Sequence, residues 1–223
     1  MNLKLFHLHN LEKGKRCFVL SNGPSINSCN LSLLKDEVII SINASPLLER
    51  KYDIVAKYYC LSDPRFLEDD KKYEIFNNKL EDNPIVVCRD NFREKMFEKT
   101  FESFNNFVFL KAIGRDGFSK NLYKGFYFGS STTHLALQLA YWLGCSNIYI
   151  LGLDLSYPSS NASYRFYEET ITQVYDYQVS VQLHNYVLAK KVFNSDDKNV
   201  YICNRHSWAS PYLPYCNFEG LFQ

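Results

Sequence analysis

Residues 17–25 read Cys-Phe-Val-Leu-Ser-Asn-Gly-Pro-Ser, and this stretch carries the clearest indication of the fold. Its first four residues are apolar, and the Asn-Gly-Pro that follows Ser21 ends the apolar run abruptly. A short apolar run bounded by turn residues is typical of a strand that is buried on both faces. We therefore expect a buried strand that ends in a polar loop.

Further apolar runs follow along the chain, and segments of helical character separate them. We predict strands at 38–42, 54–61, 84–88, 107–110, 147–154 and 200–203, and helices at 30–37, 65–80, 130–143 and 172–194. Repeated alternation of strands and helices predicts a doubly wound, mainly parallel sheet with helices on its faces. The expected fold class is therefore α/β and Rossmann-like.

Length and pattern favour one domain. The chain has 223 residues, of which 46% are hydrophobic, and this suffices for a sizeable core. Two segments, at about 91–127 and about 155–171, lack a regular pattern, and we expect them to be irregular insertions that form a small lobe or lid. The prediction is a single α/β domain over residues 1–223.

Composition argues against several classes of protein. Lys and Arg total 25 against 24 Asp and Glu, so no global field would attract nucleic acid. The seven cysteines are odd in number and include no Cys-x-x-Cys pair, which argues against a zinc site or a disulfide framework. The sequence also lacks a signal-peptide pattern and a run of about 18 apolar residues. We therefore expect a cytoplasmic protein.

Polar residues follow the predicted strands at the edge where open α/β sheets bind their ligands. We expect these side chains to converge on one crevice. They are Ser21, Asn22, Asn43, Ser45, Ser62, Asp63 and Asp154.

The loop after the first strand has properties that suit a ribose and a phosphate. Gly23 permits close backbone approach, Pro24 makes the turn rigid, and Asn22 offers both a donor and an acceptor. The loop, which ends at Ser25, matches neither Gly-x-Gly-x-x-Gly nor a Walker A motif, so NAD-type and P-loop readings are disfavoured. A plain tight turn is the alternative interpretation.

A second candidate lies at the start of the clearest helix, where Ser130, Ser131, Thr132 and Thr133 follow one another. A helix N-terminus attracts anions through its unpaired amides and its dipole. Capping of the helix by these hydroxyls is the alternative interpretation. His134, which comes next, has a structural role or a ligand role, and no histidine stands out as a general base. No Asp-x-Asp motif is present, so we expect no metal ion and no other cofactor.

The loop around Asn22-Gly23, the strand end at Asn43 and the block 129–154 together resemble two related families. One is the bacterial lipooligosaccharide sialyltransferases. The other is the 6-hydroxymethylpterin diphosphokinase-like family, whose short members often occur among surface-polysaccharide genes. The resemblance covers most of the chain, from Cys17 to about Phe222.

The resemblance to sialyltransferases implies a CMP-sugar donor and inverting glycosyl transfer without a metal ion. The matching residues Asn22, Asn43, Ser131 and Thr132 would contact the CMP part, and the strand end at 62–63 would contribute further contacts. In this chemistry a base takes the proton of the acceptor hydroxyl while tyrosine hydroxyls hold the leaving phosphate.

The chain departs from that pattern at two positions. Gly129 stands where these sialyltransferases have a substrate-orienting arginine, and residues 172–177 contain no counterpart of the catalytic histidine. We take Asp176 as the candidate base. Tyr157 and Tyr164 are the candidates for holding the leaving phosphate, and Asp154 is a fourth candidate for a catalytic role.

Three hypotheses of function follow. The first is a glycosyltransferase that uses a nucleotide-activated sugar, CMP-linked, and a glycan or glycolipid acceptor in surface polysaccharide or lipooligosaccharide synthesis. The second is a pterin-type diphosphokinase that uses ATP and Mg²⁺, with Asp63 and Asp154 as its carboxylates. The third is a nucleotide-binding module without catalysis. Peripheral contact with the inner membrane and formation of a homo-oligomer stay open.

Overall fold

A parallel sheet of seven strands lies at the centre of the protein. The structure, a computed structural model, describes residues 3–99, 105–156, 164–168 and 176–223. Numbered in chain order, the strands are β1 (Arg16–Leu20), β2 (Val38–Ile42), β3 (Tyr58–Leu61), β4 (Ile85–Arg89), β5 (Phe107–Leu110), β6 (Ala112–Gly114), β7 (Phe126–Tyr127), β8 (Asn147–Leu151) and β9 (Asn199–Ile202). The large sheet has the order β5-β4-β3-β2-β1-β8-β9, while β6 and β7 pair separately.

The strand order reverses beside β1. This strand pairs in parallel with β2 on one side and with β8 on the other. The chain thus builds the sheet outward from β1 to β5 and then returns to add β8 and β9 at the other side. Such a reversal leaves a crevice at the carboxyl ends of the two strands that flank it. The predicted α/β fold with a mainly parallel sheet is confirmed.

The two faces of β1 belong to two different parts of the core. Cys17 and Val19 lie in one hydrophobic cluster, and Phe18 and Leu20 lie in another. All four side chains are fully buried. Alternate residues of a strand point to opposite faces, so a strand that is covered on both sides needs the uninterrupted apolar run that the sequence shows.

Seven α-helices connect or flank the strands in the described part of the chain. They are α1 (Leu3–Leu8), α2 (Pro46–Tyr52), α3 (Arg65–Glu68), α4 (Asp70–Leu80), α5 (Arg93–Lys99), α6 (Thr132–Trp142) and α7 (Asp176–Ser195). None of these helices combines the length and the apolar character that a membrane span requires. Helix α6 is almost wholly buried and packs against β1, β2 and β3.

Between β1 and β3, one predicted helix was wrong in detail and another helix was missed. The helix expected at 30–37 is a 3-10 turn at Leu31–Leu34, preceded by another at Pro24–Ser28. The buried residues of the later turn, Leu31 and Leu34, are three apart, a spacing that matches the 3-10 repeat. Helix α2 was not predicted, because its seven residues are too few for a visible period, although proline stands at its first position.

The predicted helix over 65–80 is divided in two. Asp69 is extended, with φ −95° and ψ 126°, and its side chain caps α4 by accepting from the Lys72 amide at 3.0 Å. The predicted strand at 107–110 is confirmed as β5, and the expected irregular segment 91–127 also contains two elements that were not predicted, α5 and the small β6–β7 sheet. The short length of these elements explains why no period was visible in the sequence.

Candidate functional site

A cavity of about 400 Å³ opens at the carboxyl edge of the sheet, where the strand order reverses. The loops after β1, β2, β3 and β8 line it, together with the first turn of α6 and one face of α7. This volume lies within the range of small-molecule sites. The predicted convergence of strand-end loops on one crevice is therefore what the structure shows.

Most of the residues that the sequence pointed to line this cavity. They are Ser21, Asn22, Gly23, Asn43, Ser62, Asp63, Ser130, Ser131, Thr132, Thr133, Asp154 and Tyr164. Pro24 and Ser25 do not line it and instead begin the 3-10 turn behind the loop. Tyr157 lies outside the described residues. Asp176 is the first residue of α7, and only its backbone is described.

The carboxylate of Asp154 holds the loop after β1 in place. Its Oδ2 accepts a hydrogen bond from the Ser25 amide at 2.8 Å, and its Oδ1 accepts one from the Ser25 hydroxyl and one from Asn204 Nδ2 at 2.8 Å. The Gly23 amide also donates to the Gly152 carbonyl at 2.8 Å. These bonds join the loops that follow β1, β8 and β9.

Gly23 is required by this close approach of two loops rather than by a special backbone angle. Its φ of −75° is open to any residue. A Cβ atom at this position would lie 2.6 Å from Asp154 Oδ2 and 2.6 Å from the Gly152 carbonyl oxygen. The physical reason for the glycine is therefore contact within the protein, whereas the sequence suggested contact with a ligand.

The two asparagines of the cavity are in different states. Asn22 is buried and fully engaged, because its Nδ2 donates to Ser45 Oγ at 2.8 Å and its Oδ1 accepts from the Ala44 amide at 3.1 Å. Asn43 has a left-handed φ of 50°, and its Oδ1 is buried without a hydrogen-bond donor among the described residues. Such an atom costs about 1–3 kcal/mol. Asn43 is therefore the asparagine with an acceptor left for a ligand.

Hydroxyl pairs attach the first turn of α6 to the sheet. Ser21 Oγ lies 2.9 Å from Thr133 Oγ1, and Ser62 Oγ lies 2.6 Å from Thr132 Oγ1. Ser131, the N-cap residue, uses its hydroxyl on Tyr186 of α7 rather than on the helix. Ser131 therefore does not cap the helix with its side chain. The first amides of α6, which border the cavity, receive no hydrogen bond from that hydroxyl.

Several lining residues were missed in the sequence, among them two arginines and two glutamines. Arg65 and Arg165 bring positive charge to the cavity, and Arg65 is held by Asp63 through Nη2 and Oδ2 at 2.6 Å. Gln178 and Gln182 project from α7. Their spacing of four residues, which places side chains on one helix face, was the available signal for the glutamines.

His134 belongs to the core. It is fully buried, and its Nε2 lies 2.8 Å from the Gly117 carbonyl oxygen. Burial lowers the pKa of His134 to about 4. The neighbouring Gly129 has a φ of 56°, and a Cβ there would lie 2.6 Å from the imidazole ring. The position that sialyltransferases fill with arginine therefore has no room for a side chain here.

The family model for 6-hydroxymethylpterin diphosphokinase MptE-like proteins matches residues 1–160. The chain belongs to this MptE-like family. The predicted resemblance is thus confirmed for the second of the two families. A search of curated proteins found no match in sequence. Among the described residues of this MptE-like protein, no group of three or more His, Cys, Asp or Glu side chains is arranged to hold a metal ion.

Solved structures of glycosyltransferases share the fold of this MptE-like protein. The sialyltransferase CstII from Campylobacter jejuni in complex with cytidine-5'-monophosphate is 14% identical, with a TM-score of 0.55 over 92% of this chain and 88% of that one. The monofunctional alpha-2,3-sialyltransferase Cst-I from the same organism is 13% identical, with a TM-score of 0.55 over 91% and 80%. The MAf glycosyltransferase from Magnetospirillum magneticum AMB-1 is 16% identical, with a TM-score of 0.52 over 89% and 35%.

Replacement of Gly23 by alanine tests the contact between the two loops. The added Cβ would displace Asp154 or the Gly152 carbonyl, and overpacking of this kind costs about 1–3 kcal/mol. We expect the Tm in thermal unfolding to fall by about 2–12 °C. Gly220→Ala is the matched control, because its Cβ would meet no atom closer than 3.7 Å. Equal Tm values for the two variants would contradict the assignment.

The buried His134 predicts a loss of stability at low pH. Its pKa is about 4 in the folded protein and about 6.5 in the unfolded chain. Between these values only the unfolded chain takes up the proton, so stability falls as the pH is lowered through this window. From pH 7 to pH 4.5, the free energy of unfolding measured with urea should fall by about 2 kcal/mol more in the wild type than in His134→Gln. Parallel pH profiles would refute this.

Proposed function

We propose that the protein is a glycosyltransferase that binds a nucleotide-activated sugar, CMP-linked, in this cavity and uses it in surface polysaccharide or lipooligosaccharide synthesis. One observation carries the proposal: the cavity at the strand reversal brings together the first turn of α6 and the Asn43 acceptor, which has no donor among the described residues. The fold supports it, since the CstII structure of the same fold is described as a complex with CMP.

Asn43 suits the nucleoside part of the donor. Its buried Oδ1 receives no hydrogen bond from the described residues, and both the amino group of cytosine and a ribose hydroxyl could donate one. The left-handed backbone of Asn43 is held by a hydrogen bond, which the Tyr59 hydroxyl donates to the Asn43 carbonyl oxygen at 2.7 Å. Asn43 thus has a fixed backbone and a side-chain acceptor that a nucleoside would satisfy.

The first turn of α6 suits the phosphate. The helix dipole and the first amides favour an anion at Thr132 and Thr133, and the hydroxyl pairs with Ser21 and Ser62 keep this turn in place. A CMP-linked sugar carries one phosphate. We propose that these groups, together with the lining Arg165, hold it without a metal ion.

We propose that helix α7 provides the catalytic base. Asp176 begins the helix that brings Gln178 and Gln182 to the cavity. Its carboxylate would take the proton of the acceptor hydroxyl as that oxygen bonds to the anomeric carbon and the bond from that carbon to the phosphate oxygen breaks. The configuration inverts and CMP leaves, with Tyr164 and Tyr157 as the proposed donors to its phosphate.

In this proposal Asp154 positions the loop after β1 and does not react with the substrate. Both of its oxygen atoms already accept hydrogen bonds from Ser25 and Asn204. It would therefore keep the loop after β1 in the shape that the donor requires.

The family description favours a second candidate, a pterin-type diphosphokinase that uses ATP and Mg²⁺. Asp63 and Asp154 both line the cavity, as that chemistry would require. However, Asp63 is bonded to the Arg65 side chain and amide, and Asp154 is bonded to the loop. Both carboxylates would have to give up these partners to bind a cation. A nucleotide-binding module without catalysis stays the third hypothesis.

Calorimetry with CMP, CDP, UDP, GDP and ATP, each with Mg²⁺ and with EDTA, separates these functions. We expect CMP to bind equally well under both conditions. Asn43→Ala should weaken CMP binding about tenfold, because the lost hydrogen bond is worth about 1 kcal/mol or more. Binding of ATP that requires Mg²⁺, without binding of CMP, would favour the diphosphokinase.

Asp176→Asn tests the base. The variant keeps the size of the side chain but cannot accept the proton, so transfer should fall by at least about 100-fold while the Kd for CMP changes less than about twofold. Asp197→Asn is the control, since Asp197 is exposed in the turn after α7. Full activity of Asp176→Asn would rule out this base. If the wild type binds CMP but neither hydrolyses nor transfers from any CMP-sugar, the third hypothesis, a nucleotide-binding module without catalysis, is favoured.

A further inference from the structure

Arg89 is the last residue of β4, and its side chain carries a buried hydrogen-bond donor. Its Nε is one of the buried side-chain atoms without a hydrogen-bond partner in the described part of the chain. Native proteins supply nearly all such atoms with a partner, which is water or a ligand where the protein provides none. The lone donor on a cation therefore marks a place where an acceptor from outside the described residues would be stabilised.

Among the described residues, Arg89 has contacts with aromatic rings and no ion pair. Its Cζ lies 4.9 Å from the ring centroid of Phe128 and 5.7 Å from that of Phe92. These rings contact the guanidinium, while its N–H groups point outward in its own plane. No carboxylate in the described ranges forms an ion pair with Arg89. Other arginines do have such partners, namely Arg16, Arg50, Arg65 and Arg115.

Arg89 adjoins the cavity through two neighbours. Phe128, on which it stacks, is a lining residue and leads through Gly129 into the first turn of α6. In the sheet, Leu61 pairs with Cys88, so Arg89 lies beside Ser62, which also lines the cavity. The guanidinium is thus at the border of the proposed donor site, on the side of β3 and β4.

We propose that Arg89 forms an anion subsite at the border of the cavity and binds a carboxylate or phosphate group of a substrate sugar. The proposal rests on the proposed function, because it assigns a negatively charged sugar to the same site. A guanidinium in contact with two aromatic rings offers paired N–H donors that match the two oxygens of such a group. The charged sugar belongs either to the donor or to the acceptor, and kinetics distinguish the two sources.

Nuclear magnetic resonance of arginine Nε–H groups tests the subsite without any transfer reaction. The Arg89 signal is identified by its absence in Arg89→Lys. We expect it to shift in a saturable way when the wild-type protein is titrated with glucuronate, and to stay unchanged with glucose. The signal of the exposed Arg93, which stacks on Phe109, should not respond to either sugar. An unchanged Arg89 signal with glucuronate would overturn the proposal.

Steady-state kinetics identify the source of the charge. Arg89→Lys should raise KM at least about tenfold for the substrate that carries the anion and leave KM for its neutral analogue unchanged, with Arg93→Lys as the control. One arm compares CMP-linked sugars with and without a carboxylate, and the other compares uronate- or phosphate-bearing acceptors with neutral ones. Equal losses for charged and neutral substrates in both arms would overturn the subsite. Glucuronate binding without any transfer would support the subsite and contradict the glycosyltransferase.

Discussion

The hydrogen bonds of the Asp154 carboxylate are the interaction on which the site depends. They fasten the loop after β1 to the ends of β8 and β9, at the place where the strand order of the sheet reverses. The two loops approach so closely that only glycine fits at position 23. Without this attachment the cavity would lose one of its walls, because the polar loop after β1 would have no fixed position.

The polar residues of the cavity divide into those that build it and those that are left for a ligand. Asn22 and Asp154 are bonded within the protein, and the hydroxyls of Ser21 and Ser62 hold α6. The acceptor of Asn43 has no donor in the part of the chain that the structure describes, and the first turn of α6 supplies amides. A site that was rigid before binding would lose little conformational freedom when the ligand enters.

The sequence predicted those features of the fold and the site that a local pattern of residues determines. Strands such as β1 and β2 are apolar runs because both faces are covered, and their polar ends mark the ligand-binding edge. Short elements such as α2 were missed, because seven residues show no clear period. Arg65, Arg165 and Arg89 were missed for another reason. Arginine is common on surfaces, and only the packing of distant segments brings these three to the border of one cavity.

The most direct test of the account is a crystal structure of the protein with CMP. We predict that the phosphate lies within hydrogen-bond distance of the Thr132 or Thr133 amide, and that a donor group of the cytidine reaches Asn43 Oδ1. CMP at the opposite edge of the sheet, in the cavity lined by Glu12, Arg16 and Lys57, would contradict the account. So would CMP in the predicted cavity with its phosphate away from α6.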